Sequence, residues 1–321
     1  VSDLYPDKVS HRNQWILRHR GNRHPQDPWQ AAPFVVEPER SATGEIENTA
    51  TLFLTNSECP WRCLMCDLWQ YTLPGPTPPG SLVRQIQLTL EKLPPAHTIK
   101  LYNAGSFFDP KAVPTSELKD IAHACGHFDR VIVESHPSLV HRSSVLQFRD
   151  ALSGQLEIAM GLETIHPEVL AKLNKGITVE DFQKAASTLL RHCIDLRTFV
   201  LLRPPFLSEE EGIHWAVQSV RFARQCNSTA TVIIPTRTGN GALNQLQTQG
   251  LFSPPKLSSL EISLSQCLQS QSGRVFADLW NLEKFSHCPQ CYEQRRESLL
   301  KMNLSQTPAP PTQCPHCAGS A

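Results

Sequence analysis

Seven of the chain's eleven cysteines fall into two groups with metal-ligand spacing. The first group lies in the run Glu58-Cys59-Pro60-Trp61-Arg62-Cys63-Leu64-Met65-Cys66-Asp67, where Cys59, Cys63 and Cys66 form a C-x3-C-x2-C pattern. Soft thiolates suit iron–sulfur clusters, and three in one tight loop can hold three irons of a [4Fe–4S] cube. The fourth iron then has no protein ligand in the loop. An open iron can bind a substrate, so the triplet points to chemistry beyond electron storage. The competing reading is zinc, because Cys63 and Cys66 alone make a common zinc half-site. That reading leaves Cys59 without a role.

The second group is Cys288-Pro289-Gln290-Cys291 with Cys314-Pro315-His316-Cys317, two C-x2-C pairs separated by 22 residues. Paired turns of this kind usually build a closed tetrahedral zinc site, although this spacer is slightly longer than in most zinc ribbons. An auxiliary [4Fe–4S] cluster would use the same four ligands. Zinc is favoured, since Cys-Pro-x-Cys knuckles in a short terminal segment suit a ribbon. Cys125, Cys193, Cys226 and Cys267 read as small buried residues.

The elements that must position the triplet alternate between strand and helix. Apolar strand-like runs occupy 51–55, 98–102, 130–134, 156–160, 196–202 and 229–234. Helical patterns lie near 81–92, 115–125, 138–149, 167–173, 179–191 and 208–225. Two helix starts carry capping signals: Ser208 before Glu209, Glu210 and Glu211, and Thr178 before Glu180 and Asp181. Six such units without tight hairpin signals predict an α/β fold, a partial (β/α)6 TIM-like barrel. Residues 1–50 form a polar N-terminal extension rich in His, Arg and Pro, read as packing loosely on the core. Residues 51–250 form the barrel. Residues 251–321 carry a helix near 257–270 and the small four-cysteine metal module.

In parallel barrels the active site lies at the strands' C-terminal ends. Here those ends are polar or Gly-rich, among them Asn103-Ala104-Gly105-Ser106, Glu134-Ser135-His136-Pro137, Gly161-Leu162-Glu163-Thr164 and Arg203-Pro204-Pro205. Cysteines after the first barrel strand resemble those of the radical S-adenosylmethionine (SAM) enzymes. Gly161-Leu162-Glu163-Thr164, then Leu170-Ala171-Lys172-Leu173-Asn174-Lys175-Gly176, resembles the branch related to archaeosine-biosynthesis proteins, as do Tyr102–Asp109 in sequence and Val133-Glu134-Ser135-His136-Pro137.

The resemblance implies that Cys59, Cys63 and Cys66 ligate a [4Fe–4S] cluster whose fourth iron is chelated by the amino and carboxylate groups of SAM. Reduction would then yield methionine and a 5′-deoxyadenosyl radical that abstracts hydrogen from substrate. It also implies a reducing partner such as flavodoxin or ferredoxin. The family's Gly-Gly-Glu-Pro loop is replaced by Asn103-Ala104-Gly105-Ser106, where Gly105 and Ser106 are candidates to meet SAM. Met65 stands where an aromatic residue commonly packs near the adenine. Glu134 and Glu163 are candidates for the SAM ribose or ammonium, and Arg203 for a carboxylate or phosphate. For Arg203 and Arg237, structural pairing with the glutamates is an equal alternative. His136 reads as a satisfied structural histidine.

The composition sets outer bounds. Hydrophobic residues make up 40% of the 321, enough for a large core, and the net charge is zero. No apolar run reaches the length of a membrane span, and Val1-Ser2-Asp3-Leu4-Tyr5 has no signal core. Clustered cysteines without such a signal favour metal binding in the cytoplasm. The substrate reads as an RNA nucleoside, by tRNA modification, or as a small metabolite. The different-class alternative is a non-catalytic protein with structural metal sites.

Overall fold

The computed structural model describes residues 4–270 and 273–317. Residues 1–3, the start of the segment lacking a signal core, and 318–321, the end of the C-terminal segment, lie outside the described residues. Eight strands form one curled sheet in chain order: β1 (Phe34–Arg40), β2 (Ile46–Leu54), β3 (Thr98–Asn103), β4 (Arg130–Glu134), β5 (Gln155–Glu163), β6 (Asp195–Leu202), β7 (Ala230–Pro235) and β8 (Arg274–Ala277). β1 runs antiparallel to β2, and every later neighbour pairs in parallel. The helices are α1 (Val9–His19), α2 (Ser81–Leu90), α3 (Leu118–Ala124), α4 (Ser143–Ala151), α5 (Pro167–Lys172), α6 (Val179–Arg191), α7 (Glu209–Gln225), α8 (Ala242–Thr248), α9 (Leu257–Gln269) and α10 (Pro289–Ser305).

This is the expected partial barrel, and β2–β7 are the six strands read from the sequence. β1 and β8 extend the sheet beyond both ends of the 51–250 segment. β1 was hidden because Glu37, Pro38, Glu39 and Arg40 break any apolar run; proline is tolerated there because the strand is at an edge. β8 has only four residues.

Strand alternation divides the sheet's two faces. Leu52, Ile99, Leu101, Val131, Val133, Ile158, Met160 and Leu202 join the main apolar core. The intervening side chains line the inside of the curl. Its floor is ionic: Arg197 bonds Glu157 and Glu39, each at 2.6 Å, while Lys100 reaches Glu39 at 2.5 Å. Burial opposes the Glu39 charge, but Arg197 and Lys100 outweigh it and hold the carboxyl below its ordinary range. Higher up the interior is aromatic, with Phe53 against Trp280 and Tyr102 against Phe199.

Helices α6 and α7 start as read, each with a full capping box: Thr178 with Asp181, and Ser208 with Glu211. α10 closes the seam between the two edge strands. The Asn303 and Gln306 side-chain amides each both donate to and accept from β8 backbone, at Ala277 and Val275 respectively. On the opposite edge, Arg40 of β1 donates to Leu304 O at 3.1 Å. Cys125, Cys226 and Cys267 are buried as expected, but Cys193 is exposed, because it sits with φ 53° in the turn after α6.

Candidate active site

The cysteine loop leaves the C-terminal end of β2. A loop lying against a core must find partners for its backbone groups, and here other loops supply them. Leu64 N–H donates to Leu173 O at 2.8 Å. Asn174 Nδ2 donates to Arg62 O at 2.8 Å, and Asn240 Nδ2 donates to Leu64 O at 2.7 Å and Cys66 O at 3.2 Å. Leu64 is fully buried among Trp15, Ile16, Leu243 and Leu246. Burial pushes the Cys59 thiol up to about 11 and those of Cys63 and Cys66 up to about 12. All three therefore keep their protons at neutral pH until a metal displaces them.

The N-terminal segment is not the loosely packed extension read from its polarity. Trp15 and Ile16 of α1 are buried against the cysteine loop and α8. Arg12, also buried, donates to the carbonyls of Pro6, Asp7 and Ala171. Beyond the helix, Arg20 (2.6 Å), Arg23 and Arg62 (3.1 Å) converge on Glu58, the residue before Cys59. Arg20, Arg23 and Arg62 thus help to hold the loop. A polar sequence can dock tightly when its charges find one shared partner.

Across from the thiols, Glu163 and Lys175 form a buried ion pair at 2.6 Å. Burial opposes the Lys175 charge, but Glu163 and Cys63 more than restore it and raise its pKa. Glu163 stands at a β-bulge with φ 65°, a costly conformation for a non-glycine residue and one found at functional sites. Gly161 makes room for the pair, since a Cβ there would lie 2.0 Å from Glu163 Oε1 and 2.4 Å from Lys175 Nζ. Burial pushes the Glu134 carboxyl up to about 8, against the pull of Lys175. Trp61 of the cysteine loop stacks on His136, with centroids 3.7 Å apart. His136 Nε2 faces Lys175 O and its Nδ1 faces Ser138, so both nitrogens are satisfied. Burial and Lys175 depress its pKa to about 3.

Asn56 and Asn103, at the ends of β2 and β3, are buried, and among the described residues neither side-chain amide has a hydrogen-bond partner. Each orphaned group costs on the order of 1–3 kcal/mol, a cost that a polar ligand bound here would relieve. Gly105 lies beside them; a Cβ there would approach Asn56 Nδ2 to 2.8 Å. The donors and acceptors here fit a ligand bearing amine, carboxylate and hydroxyl groups, as SAM does. The three thiols beside them fit a cluster.

Other candidate residues fall elsewhere. Ser106 is buried, with its hydroxyl accepting from His136 N at 2.8 Å, so it braces the next strand end. Met65 packs with Trp15 on one side and Val169, Leu173 and Leu201 on the other. Arg203 pairs with Glu209 at 2.5 Å and donates to Pro254 O. Arg237 pairs with Asp278 at 2.6 Å. Both arginines are engaged structurally, with partners other than Glu134 and Glu163. Sequence reasoning singled out neither Asn56 nor Lys175 nor Asn240; for Asn56, a polar residue just past an apolar strand was the available signal.

No protein-family model matches the chain. Its backbone superposes on methylornithine synthase with a TM-score of 0.56 at 16% identity, covering 79% of this chain and 69% of that one. The likeness is one of fold, the partial barrel described above. In sequence the chain is similar to archaeosine synthase subunit beta of Methanosarcina acetivorans, 27% identical over 301 residues and covering 85% of each. It is also 24% identical over 230 residues to an uncharacterized protein of Methanocaldococcus jannaschii, spanning 67% of this chain and 63% of that relative. The chain thus spans less than two thirds of that relative's length.

Proposed function

We propose that the chain is a radical SAM enzyme, with Cys59, Cys63 and Cys66 as the ligands of a [4Fe–4S] cluster. The observation that carries this reading is the pair of buried side-chain amides without partners among the described residues, Asn56 and Asn103, at the ends of β2 and β3, with the three-cysteine loop leaving the end of β2. When bound, the cluster and SAM supply reductive cleavage to methionine and a 5′-deoxyadenosyl radical, fed by a donor such as flavodoxin or ferredoxin. Asn56 and Asn103 bind the polar groups of SAM, and Gly105 leaves room for its approach. Lys175 holds Glu163 in place, and Glu134 stays largely protonated at neutral pH, able to donate a hydrogen bond. Residues 51–250 are the catalytic core in this reading, with the described parts of 1–50 and 251–321 closing it at either side. The setting is the cytoplasm, and no helix among the described residues is long and apolar enough to cross a membrane.

Phe53, Tyr102, Phe199 and Trp280 inside the curl offer flat faces, which suit a nucleobase. The similarity to an archaeosine synthase subunit along 85% of its length supports an RNA nucleoside as substrate, by tRNA modification. The zero net charge favours the second reading, a small metabolite. The class is tested by anaerobic reconstitution, reduction with dithionite and addition of SAM. Formation of 5′-deoxyadenosine and methionine is expected, and its absence with candidate substrates present would overturn the proposal. An RNA affinity that falls steeply with salt separates the two substrate classes.

A further inference from the structure

We propose that Cys288, Cys291, Cys314 and Cys317 bind one zinc ion, and that this ion locks α10 into the seam between β1 and β8. The four sulfurs lie within 4.8 Å of one another, with Cys288–Cys314 at 3.8 Å and Cys291–Cys317 at 3.6 Å. Tetrahedral zinc at about 2.3 Å from each thiolate places neighbouring sulfurs about 3.8 Å apart. A four-iron cube puts each thiolate on a different iron and spreads them farther than four ligands sharing one ion. The geometry therefore selects one ion over an auxiliary cluster. Binding is not redox: the thiols release their protons to solvent as sulfur–zinc bonds form.

The surroundings are built for this charge. Arg295, buried one turn along α10, donates from Nε to Cys291 Sγ at 3.3 Å. The same guanidinium pairs with the fully buried Glu261 of α9 and donates to Thr312 O at 3.0 Å. Glu261 in turn accepts from Thr312 Oγ1 at 2.6 Å and Thr312 N at 3.2 Å. Outer partners of this kind orient metal ligands, and here they bring the segment carrying Cys314 and Cys317 onto α9.

The ion sits at the start of α10, and the far end of that helix covers β8. The Val275 and Ala277 amides donate to Gln306 Oε1 and Asn303 Oδ1, at 2.7 and 2.8 Å. Their protection from exchange therefore reports directly whether α10 is docked. Nothing in this proposal depends on the cluster at Cys59, Cys63 and Cys66.

The test uses the full chain purified anaerobically. One zinc per chain is expected, retained in Cys63→Ala and lost in a Cys314→Ser/Cys317→Ser variant. Cobalt substitution should give the visible bands of a tetrahedral thiolate site. Iron that follows these four cysteines, with or without sulfide, would overturn the assignment. Stripping zinc from the wild-type chain with a chelator should speed exchange of the Val275 and Ala277 amides about tenfold or more, with β3–β5 unchanged. That arm needs no folded variant. Unchanged exchange after complete zinc loss would overturn the locking role.

Discussion

The two cysteine groups differ in what they leave unfinished. Cys288, Cys291, Cys314 and Cys317 bring four sulfurs within 4.8 Å of one another, enough ligands to complete one ion's coordination in the zinc proposal. Cys59, Cys63 and Cys66 do not gather in this way, and their loop faces a rim where Asn56 and Asn103 also lack partners. A complete ligand set makes a fastener; an incomplete one makes a place for chemistry. Both are held by a terminal segment, the first beside α10 and the second by α1 and the arginines around Glu58.

The sharpest way to break this contrast is Cys63→Ala. It should abolish 5′-deoxyadenosine formation and the loop's iron absorbance while leaving zinc content unchanged. Joint loss of both metals would show that the sites are one system. Next in size is Lys175→Met, which strands Glu163 as a buried charge; about 3–5 kcal/mol of stability should be lost in chemical denaturation. Lys175→Met with Glu163→Leu should recover part of that loss. Gly161→Ala forces a Cβ into the same ion pair and should cost about 1–3 kcal/mol, with weakened SAM binding by calorimetry.

Smaller effects sharpen the comparison from the N-terminal side. Arg20→Ala removes one of three guanidinium groups from Glu58 and should cost about 1 kcal/mol. It should also make the loop's iron more labile to chelation without changing zinc content. A pH-dependent effect concerns Glu134, whose folded pKa of about 8 lies above its ordinary value of 4.5. The folded state holds the proton more tightly, so this group's contribution is complete below about pH 4.5 and is lost as pH rises towards 8. Glu134→Gln should flatten the decline in Tm across that window; an unchanged slope would show that Glu134 does not cause it.

The barrel was legible because its six inner strands are short apolar runs and its helix starts carry Ser208 and Thr178 caps. The cysteine groups were legible because metal spacing is a local property. What escaped depends on contacts distant in sequence. The docking of α1 could not be read because Arg20 and Arg23 meet Glu58 only after folding, and their polarity alone suggests solvent. β1 escaped because Pro38 and its charged neighbours suit an edge strand and the ionic floor beneath the curl. The pairing of Arg203 was not legible because its partner, Glu209, lies beyond the turn containing Pro204 and Pro205. Lys175 became visible as a rim residue only through its 2.6 Å contact with Glu163.

The side-chain amides that α10 lays along β8 have a consequence for association between molecules. An uncovered outer strand presents a row of backbone groups on which another chain can pair, and Asn303 and Gln306 fill those positions at Ala277 and Val275. The helix thus imitates a ninth strand without offering a tenth. A molecule that loses this cover, with its barrel otherwise whole, becomes sticky before it becomes unfolded, and its first visible failure is self-association along that edge.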